Sequence, residues 1–99
     1  MSVQTLHHLR VRGRVQGVGY RAFVEREAIR HGLAGWVRNR TDGSVEAILA
    51  GPAETVAAVI EACRRGPTLA RVDAVETGAP PAGLPSVAAG DGFRVLPTA

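Results

Sequence analysis

Polar and apolar positions alternate strictly near the start of the chain: Leu9, Val11, Gly13 and Val15 share one face of an extended segment, and Arg10, Arg12 and Arg14 share the other. A period of two is what a strand buried on one side requires, so a first strand is predicted over Leu6–Val15. Beyond Gly17 and Gly19 the period changes. Tyr20, Phe23, Val24 and Ala28 recur at helical spacing, predicting a helix over Tyr20–His31 with Gly32 as its C-terminal stop. Alternation returns over Gly35–Arg40, with Val37 and Asn39 on one face and Trp36, Arg38 and Arg40 on the other. Thr41-Asp42-Gly43 reads as a hairpin turn into a third strand, Ser44–Ala50, whose Val45, Ala47 and Leu49 face a core. Gly51-Pro52 opens a second helix, with proline in its first turn. Val56, Val59, Ile60 and Cys63 then follow at i, i+3, i+4 and i+7, and Gly66-Pro67 closes it. A fourth strand is predicted over Ala70–Thr77. The Pro-, Gly- and Ala-rich segment Gly78–Gly92 is expected to be an extended surface loop, and Phe93, Val95 and Leu96 a short terminal strand.

This order, β-α-β-β-α-β with one strand appended, is the ferredoxin-like α+β pattern of two helices on one face of an antiparallel sheet. The strand order usual for that pattern, 4-1-3-2, brings the C-terminal ends of the first two strands to the same edge of the sheet. Asn39 and the glycine turn after Val15 are then about 10 Å apart, two strand spacings. At 99 residues, the whole chain is expected to be a single domain.

Composition narrows the chemistry. The hydrophobic fraction of 45% suits a globular chain. The formal charge of +3 comes from arginine alone, because the sequence contains no lysine. That excludes lysine Schiff-base chemistry and a phosphate-binding lysine of the Walker type. The charge favours anionic partners but falls short of a nucleic-acid-binding tail. Cys63 is the only cysteine, so neither an intrachain disulfide nor a cysteine zinc site can form, and its place on the apolar helix face reads as core packing. His7, His8 and His31 have no metal-ligand spacing, and no metal or cofactor is expected. With no apolar leader and no run approaching 18 apolar residues, a cytoplasmic chain without membrane partners is expected.

The junction of the first strand and first helix carries the candidate site. No Ser, Thr, Asp or Asn precedes the helix to cap it, so its first N–H groups need water or a ligand. Gly17 and Gly19 permit close backbone approach, and Arg21 is a cation at the helix end that favours anions. An anion held between the arginine and the amides accounts for both features. The plainer alternatives are a simple glycine turn and an Arg21–Glu25 pair across one helical turn. Asn39, the only asparagine, is compatible either with a polar site residue or with a turn residue before Asp42-Gly43.

The run Gly13-Arg14-Val15-Gln16-Gly17-Val18-Gly19-Tyr20-Arg21, with Gly35-Trp36-Val37-Arg38-Asn39 and Asp42-Gly43, resembles the acylphosphatase family over nearly the whole chain. The resemblance implies hydrolysis of acyl phosphates to a carboxylate and inorganic phosphate. It further implies that Gln16, Gly17, Val18, Gly19, Tyr20 and Arg21 bind the phosphate, that Arg21 is catalytic, and that Asn39 positions the attacking water. Val15 stands six residues before Arg21, where the Cys-x5-Arg loop of cysteine phosphatases has its nucleophile, which points to direct attack by water. A small acyl phosphate is the expected substrate, inorganic phosphate or sulfate the expected competing anion, and a monomer the expected state. Two alternatives stay open. One is a non-catalytic module that binds a small anion; the other is an RNA-binding module using Trp36, Arg10, Arg12 and Arg38 on the open sheet face.

Overall fold

A computed structural model describes residues 4–87 and 92–99. The elements follow as β1 (Gln4–Arg14), α1 (Tyr20–Arg30), β2 (Ala34–Asn39), β3 (Val45–Pro52), α2 (Ala53–Arg65), β4 (Arg71–Gly78) and β5 (Phe93–Val95). They build one sheet in the order β4-β1-β3-β2-β5, so the first four strands stand in the predicted arrangement. β5 departs from the expected all-antiparallel sheet. It runs parallel to β2, with Phe93 opposite Gly35 and Val95 opposite Val37. β4 finishes beside the first half of β1, where Gly78 faces His8, and β5 begins beside the start of β2. A chain that crosses the sheet at that end can only run along β2 in the direction of β2.

The apolar alternation and the helical stripes meet in one layer. Leu9, Val11, Val37, Val45, Ala47 and Leu49 from the sheet pack with Tyr20, Val24, Ala28, Val56, Val59 and Cys63 from the helices, all of them buried. Burying each Val or Leu side chain contributes roughly 1.5–3 kcal/mol, against a few tenths for an exposed helical ion pair. The apolar stripes therefore decide which face the helices cover. α1 ends as its sequence predicts: the Leu33 and Gly32 N–H groups donate to the carbonyls of Ala28 and Ile29 at 2.9 and 3.0 Å, the paired bonds of a Schellman closure. Among the described residues, no helix is long and apolar enough to cross a membrane.

Element limits move by one or two residues, and one assignment changes. Pro52 ends β3 rather than opening α2, because β1 reaches back to Gln4 and continues the ladder through Thr5–Gly51 to Gln4–Pro52. Of the expected loop, Gly78 belongs to β4 and residues 88–91 lie outside the described chain. The described remainder, residues 79–87, is mostly exposed, as expected of a surface loop. It crosses the sheet face opposite the helices, where the Pro85 carbonyl accepts the Trp36 Nε1–H at 2.9 Å.

That face also carries the main charged cluster. Arg10 and Arg38 stand directly opposite Glu46 on its two neighbouring strands. The Glu46 carboxylate, 2% exposed, lies 2.9 Å from Arg38 Nε, 2.6 Å from His8 Nε2, 3.4 Å from Arg40 and 3.7 Å from Arg10. Burial pushes its carboxyl pKa up, but the hydrogen bonds from His8 and Arg38 and the charges of Arg38 and Arg40 outweigh this and hold it below its ordinary value.

A carboxyl depressed in the folded state stabilises it above the unfolded pKa, about 4.3, and that contribution is lost as pH falls through the folded value. The melting temperature is therefore expected to decline on acidification below about pH 5, and less steeply in Glu46→Gln. At neutral pH this substitution leaves the arginines without their common partner. It is expected to cost roughly 2–3 kcal/mol, near the low end for breaking a buried pair because Arg10 and Arg40 are partly exposed, and to lower Tm by about 10 °C. Thermal melts of both proteins between pH 3 and 7 measure both effects.

Candidate active site

Strand register brings the distant pieces together. Val11 of β1 and Asn39 of β2 share the same β3 partner, Val45. Asn39 therefore ends its strand two positions across the sheet from Val11, four residues before Val15 and the turn into α1. The turn is then tied to the β2–β3 hairpin. Gln16 Nε2 donates to the carbonyls of Arg40 and Ser44, both at 2.8 Å. The hairpin itself is held by Asp42, whose Oδ1 accepts from the Ser44 amide at 2.9 Å and the Ser44 hydroxyl at 2.6 Å. Those two bonds, hydroxyl first, draw the Asp42 pKa below its usual range.

At the helix start, Gly17 and Gly19 have φ of 75° and 80°. A Cβ at either would meet nothing within 4 Å, so the left-handed backbone and not lack of space demands glycine. Any other residue would cost about 1–2 kcal/mol there. Gly19 occupies the N-cap position and supplies no side chain, as the sequence predicts. Among the described residues, none of the backbone N–H groups from Gly17 to Ala22 donates to a carbonyl. Arg21, half buried beside them, makes no ion pair or hydrogen bond among the described residues, and the Arg21–Glu25 pair considered from spacing does not form.

These groups open into one cleft of about 280 Å³, lined by Gly17, Gly19, Tyr20, Arg21 and Asn39 together with Val15, Ala22, Glu25 and Val95. Asn39 Oδ1 is buried with no hydrogen-bond partner, which is costly unless something occupies it. A ring of free N–H groups beside a guanidinium can receive the oxygens of a small anion. A buried amide oxygen can accept from an O–H brought alongside. The sequence-derived residues do not all face this cleft. Val18 packs on the core and the Gln16 side chain braces the hairpin; neither lines the cavity. Tyr20 turns its ring inward and donates from its hydroxyl to the Cys63 carbonyl at 2.8 Å, joining the two helices. Burial pushes its phenol pKa far up, so its backbone N–H is the part available to a ligand. Burial likewise pushes the Cys63 thiol up to about 12, which keeps it protonated and unreactive near neutral pH. Among the described residues, no three His, Cys, Asp or Glu side chains gather as a metal site needs. The walls made by Ala22, Glu25 and Val95 have no motif signal. Glu25 stood out only through its spacing from Arg21, and Val95 reaches the cleft because β5 is parallel to β2.

The open sheet face offers less than its composition suggests. Trp36 is fully buried, with the Arg38 guanidinium 4.9 Å from its ring centre and the Pro85 carbonyl on its indole nitrogen. No ring face is left for a base to stack on. The arginines around it are engaged with Glu46, Asp42 and Glu76.

Comparison with known proteins agrees with the cleft. The acylphosphatase family model matches residues 7–85. An acylphosphatase of Nitrobacter hamburgensis is 57% identical over 89 residues, covering 89% of this chain and 90% of the relative. Among solved structures, an acylphosphatase from Coxiella burnetii superposes with a TM-score of 0.81 at 32% identity, over 94% of this chain and 93% of that one. An acylphosphatase from Bacillus subtilis gives a TM-score of 0.76 at 34% identity, over 95% and 99% of the two chains. With the fold, the uncapped helix and the matched sequence in agreement over most of its length, this chain belongs to the acylphosphatase family.

Proposed function

We propose that this acylphosphatase-family hydrolase cleaves the carboxyl–phosphate bond of small acyl phosphates by direct attack of water. In this reading, the backbone N–H groups from Gly17 to Tyr20 and the Arg21 guanidinium hold the phosphoryl oxygens, and Asn39 orients the water. Gln16 and Val18 serve the same loop by fixing it to the hairpin and to the core. The convergence of unmet N–H groups, an unpaired guanidinium and an unpaired buried amide oxygen on one cleft carries the reading.

The reaction makes modest demands. The leaving carboxylate has a conjugate acid with a pKa near 4, so it departs without a general acid. Catalysis then consists of holding the phosphoryl group, offsetting charge that builds on its oxygens and aligning the nucleophile. The forked guanidinium of Arg21 matches two phosphoryl oxygens at once. The Asn39 amide can accept a hydrogen bond from the water through Oδ1, directing an oxygen lone pair toward phosphorus. Val15 at the floor of the cleft is buried and apolar, and supplies no nucleophile. The same reading has the chain acting as a cytoplasmic monomer. Its single buried cysteine suits a reducing compartment, and elution at 10.4 kDa on size exclusion tests the monomer.

Release of phosphate from benzoyl phosphate tests the function directly, and it is expected to persist in EDTA. Loss of turnover on chelation, restored by a divalent ion, would overturn the metal-free scheme. Inorganic phosphate or sulfate is expected to inhibit competitively at the helix start.

Arg21→Ala is expected to abolish nearly all turnover with Tm little changed, because the side chain makes no ion pair or hydrogen bond among the described residues. Arg21→Lys is expected to fail as a rescue, since a point ammonium cannot reproduce the fork. Half of the wild-type kcat/KM in either variant removes Arg21 from the role.

Asn39→Ala is expected to lower kcat by about 10²-fold, roughly 3 kcal/mol of barrier, with little change in KM, since the interaction is strongest in the transition state. If Asn39 served only the hairpin, the variant would instead melt lower and keep its kcat per folded molecule. Steady-state kinetics beside a thermal melt separate the two.

A further inference from the structure

The glycine turn and Asn39 reach the cleft on separate pieces of chain, and the sheet alone does not fix one to the other. β1 pairs with β3 only as far as Val11, whose partner Val45 is also the partner of Asn39 at the end of β2. Beyond Val11, β1 is paired with β4 alone, through a register shift at Arg12 and Gly13, and that ladder stops at Arg14. The turn that follows therefore starts without a strand bond to the hairpin that carries Asn39. Among the described residues, the hydrogen bonds from residues 15–18 to that hairpin both come from one group, the Gln16 side-chain amide, whose Nε2 donates to the carbonyls of Arg40 and Ser44 at 2.8 Å. Gln16 stands between Val15 and Gly17, which both line the cleft, and Arg40 directly follows Asn39, which lines it too. Two acceptors call for a group with two N–H donors, which a primary amide has and a carboxylate or thioether lacks. Each carbonyl already has a donor from within the hairpin: the Gly43 N–H reaches Arg40 at 3.1 Å, and the Arg40 N–H reaches Ser44 at 2.8 Å. The hairpin thus closes without Gln16, and removing the amide strands neither carbonyl. What its two bonds add is relative placement.

We propose that Gln16 is a positioning residue: it sets the distance between the anion-binding turn and Asn39, and so the alignment of the attacking water with the phosphoryl group. The inference rests on the reading above, in which the turn amides and Arg21 hold the phosphoryl oxygens and Asn39 orients the water. Aligning a nucleophile demands closer placement than binding does, and a shift of about 1 Å can cost on the order of 10²-fold in rate. An anion held wholly by the turn and Arg21 moves with them. Loosening the tie to the hairpin leaves that anion its full set of donors and displaces it from Asn39. Gln16 thereby acts on kcat, through Asn39, and not on binding. A Gln16 side chain that touched the phosphate itself would act on binding first.

Gln16→Met removes both donors with little change in side-chain volume. The experiment compares the wild-type protein, Gln16→Met, Asn39→Ala and the double variant, reading kcat with benzoyl phosphate, the competitive Ki of inorganic phosphate, and Tm. Alone, Gln16→Met is expected to lower kcat about tenfold and to leave Ki within about twofold of the wild-type value. In the Asn39→Ala background the same substitution is expected to cost no more than about twofold in kcat, because the group it positions is already gone. A purely structural Gln16 would instead lower Tm and leave kcat per folded molecule intact, and that result overturns the proposal. So does a Ki that rises in step with the loss of kcat, or a loss that multiplies in full with that of Asn39→Ala; each leaves the acylphosphatase reading standing. If the wild-type protein releases no phosphate from benzoyl phosphate, both readings fall. Should Gln16→Met not fold, Gln16→Asn carries the same test, since it keeps the amide on a stem too short to reach both carbonyls. If neither variant folds, the amide is required by the fold itself and the positioning role is overturned.

Discussion

The first turn of α1 presents backbone N–H groups that nothing within the described chain accepts, and the architecture around it keeps them so. A helix start of this kind is ordinarily closed by an oxygen-bearing side chain. Here Gly19 stands in the N-cap position, and Gly17 and Gly19, both in left-handed backbone, line a cleft. The stability given up at this end is offset by burial along the same helix, where Tyr20, Val24 and Ala28 pack under the sheet and the Tyr20 hydroxyl is anchored on α2. In the proposed reading these main-chain groups form an anion receptor, and one built from the backbone changes little in shape when it is filled. That preorganisation is what an enzyme handling a good leaving group needs most.

The two faces of the sheet divide the labour. The helix-covered face holds the apolar core and, at one end, the cleft. The other face is occupied by Glu46 and its arginines, the Asp42 turn and the segment that covers Trp36. Glu46 links three strands, since its neighbours on β1 and β2 are both arginines. It thereby ties together the two strands whose ends carry the glycine turn and Asn39. Charge that composition alone assigns to an anionic partner is in large part spent on holding this sheet together. Arg21, at the start of α1, stands outside that network and lines the cleft instead.

Much of this was legible in the chain. Period-two and period-3.6 patterns placed every strand and helix to within a few residues, because each element buries one side and repeats its apolar residues accordingly. The missing cap, the paired glycines and Arg21 marked the helix start as unusual without reference to any other part of the protein. Cys63 read as core, and it is buried against both helices.

Other properties arose only when the chain closed on itself. The family resemblance singled out Asn39, yet its unpaired buried oxygen exists because β1 and β2 share β3 as a partner and end side by side. Gln16 looks like a ligand residue by position, but its amide reaches two carbonyls of the hairpin and acts as a brace. Trp36 looks like a solvent-facing aromatic by alternation, and it is buried because a later segment crosses over it. The direction of β5, and with it the arrival of Val95 at the cleft, depends on where β4 stops. Local sequence determines which backbone conformations and which faces are favoured, since those follow from sterics and periodic burial. Which side chains finally meet is decided by strand order and register, long-range choices that no short window of residues contains.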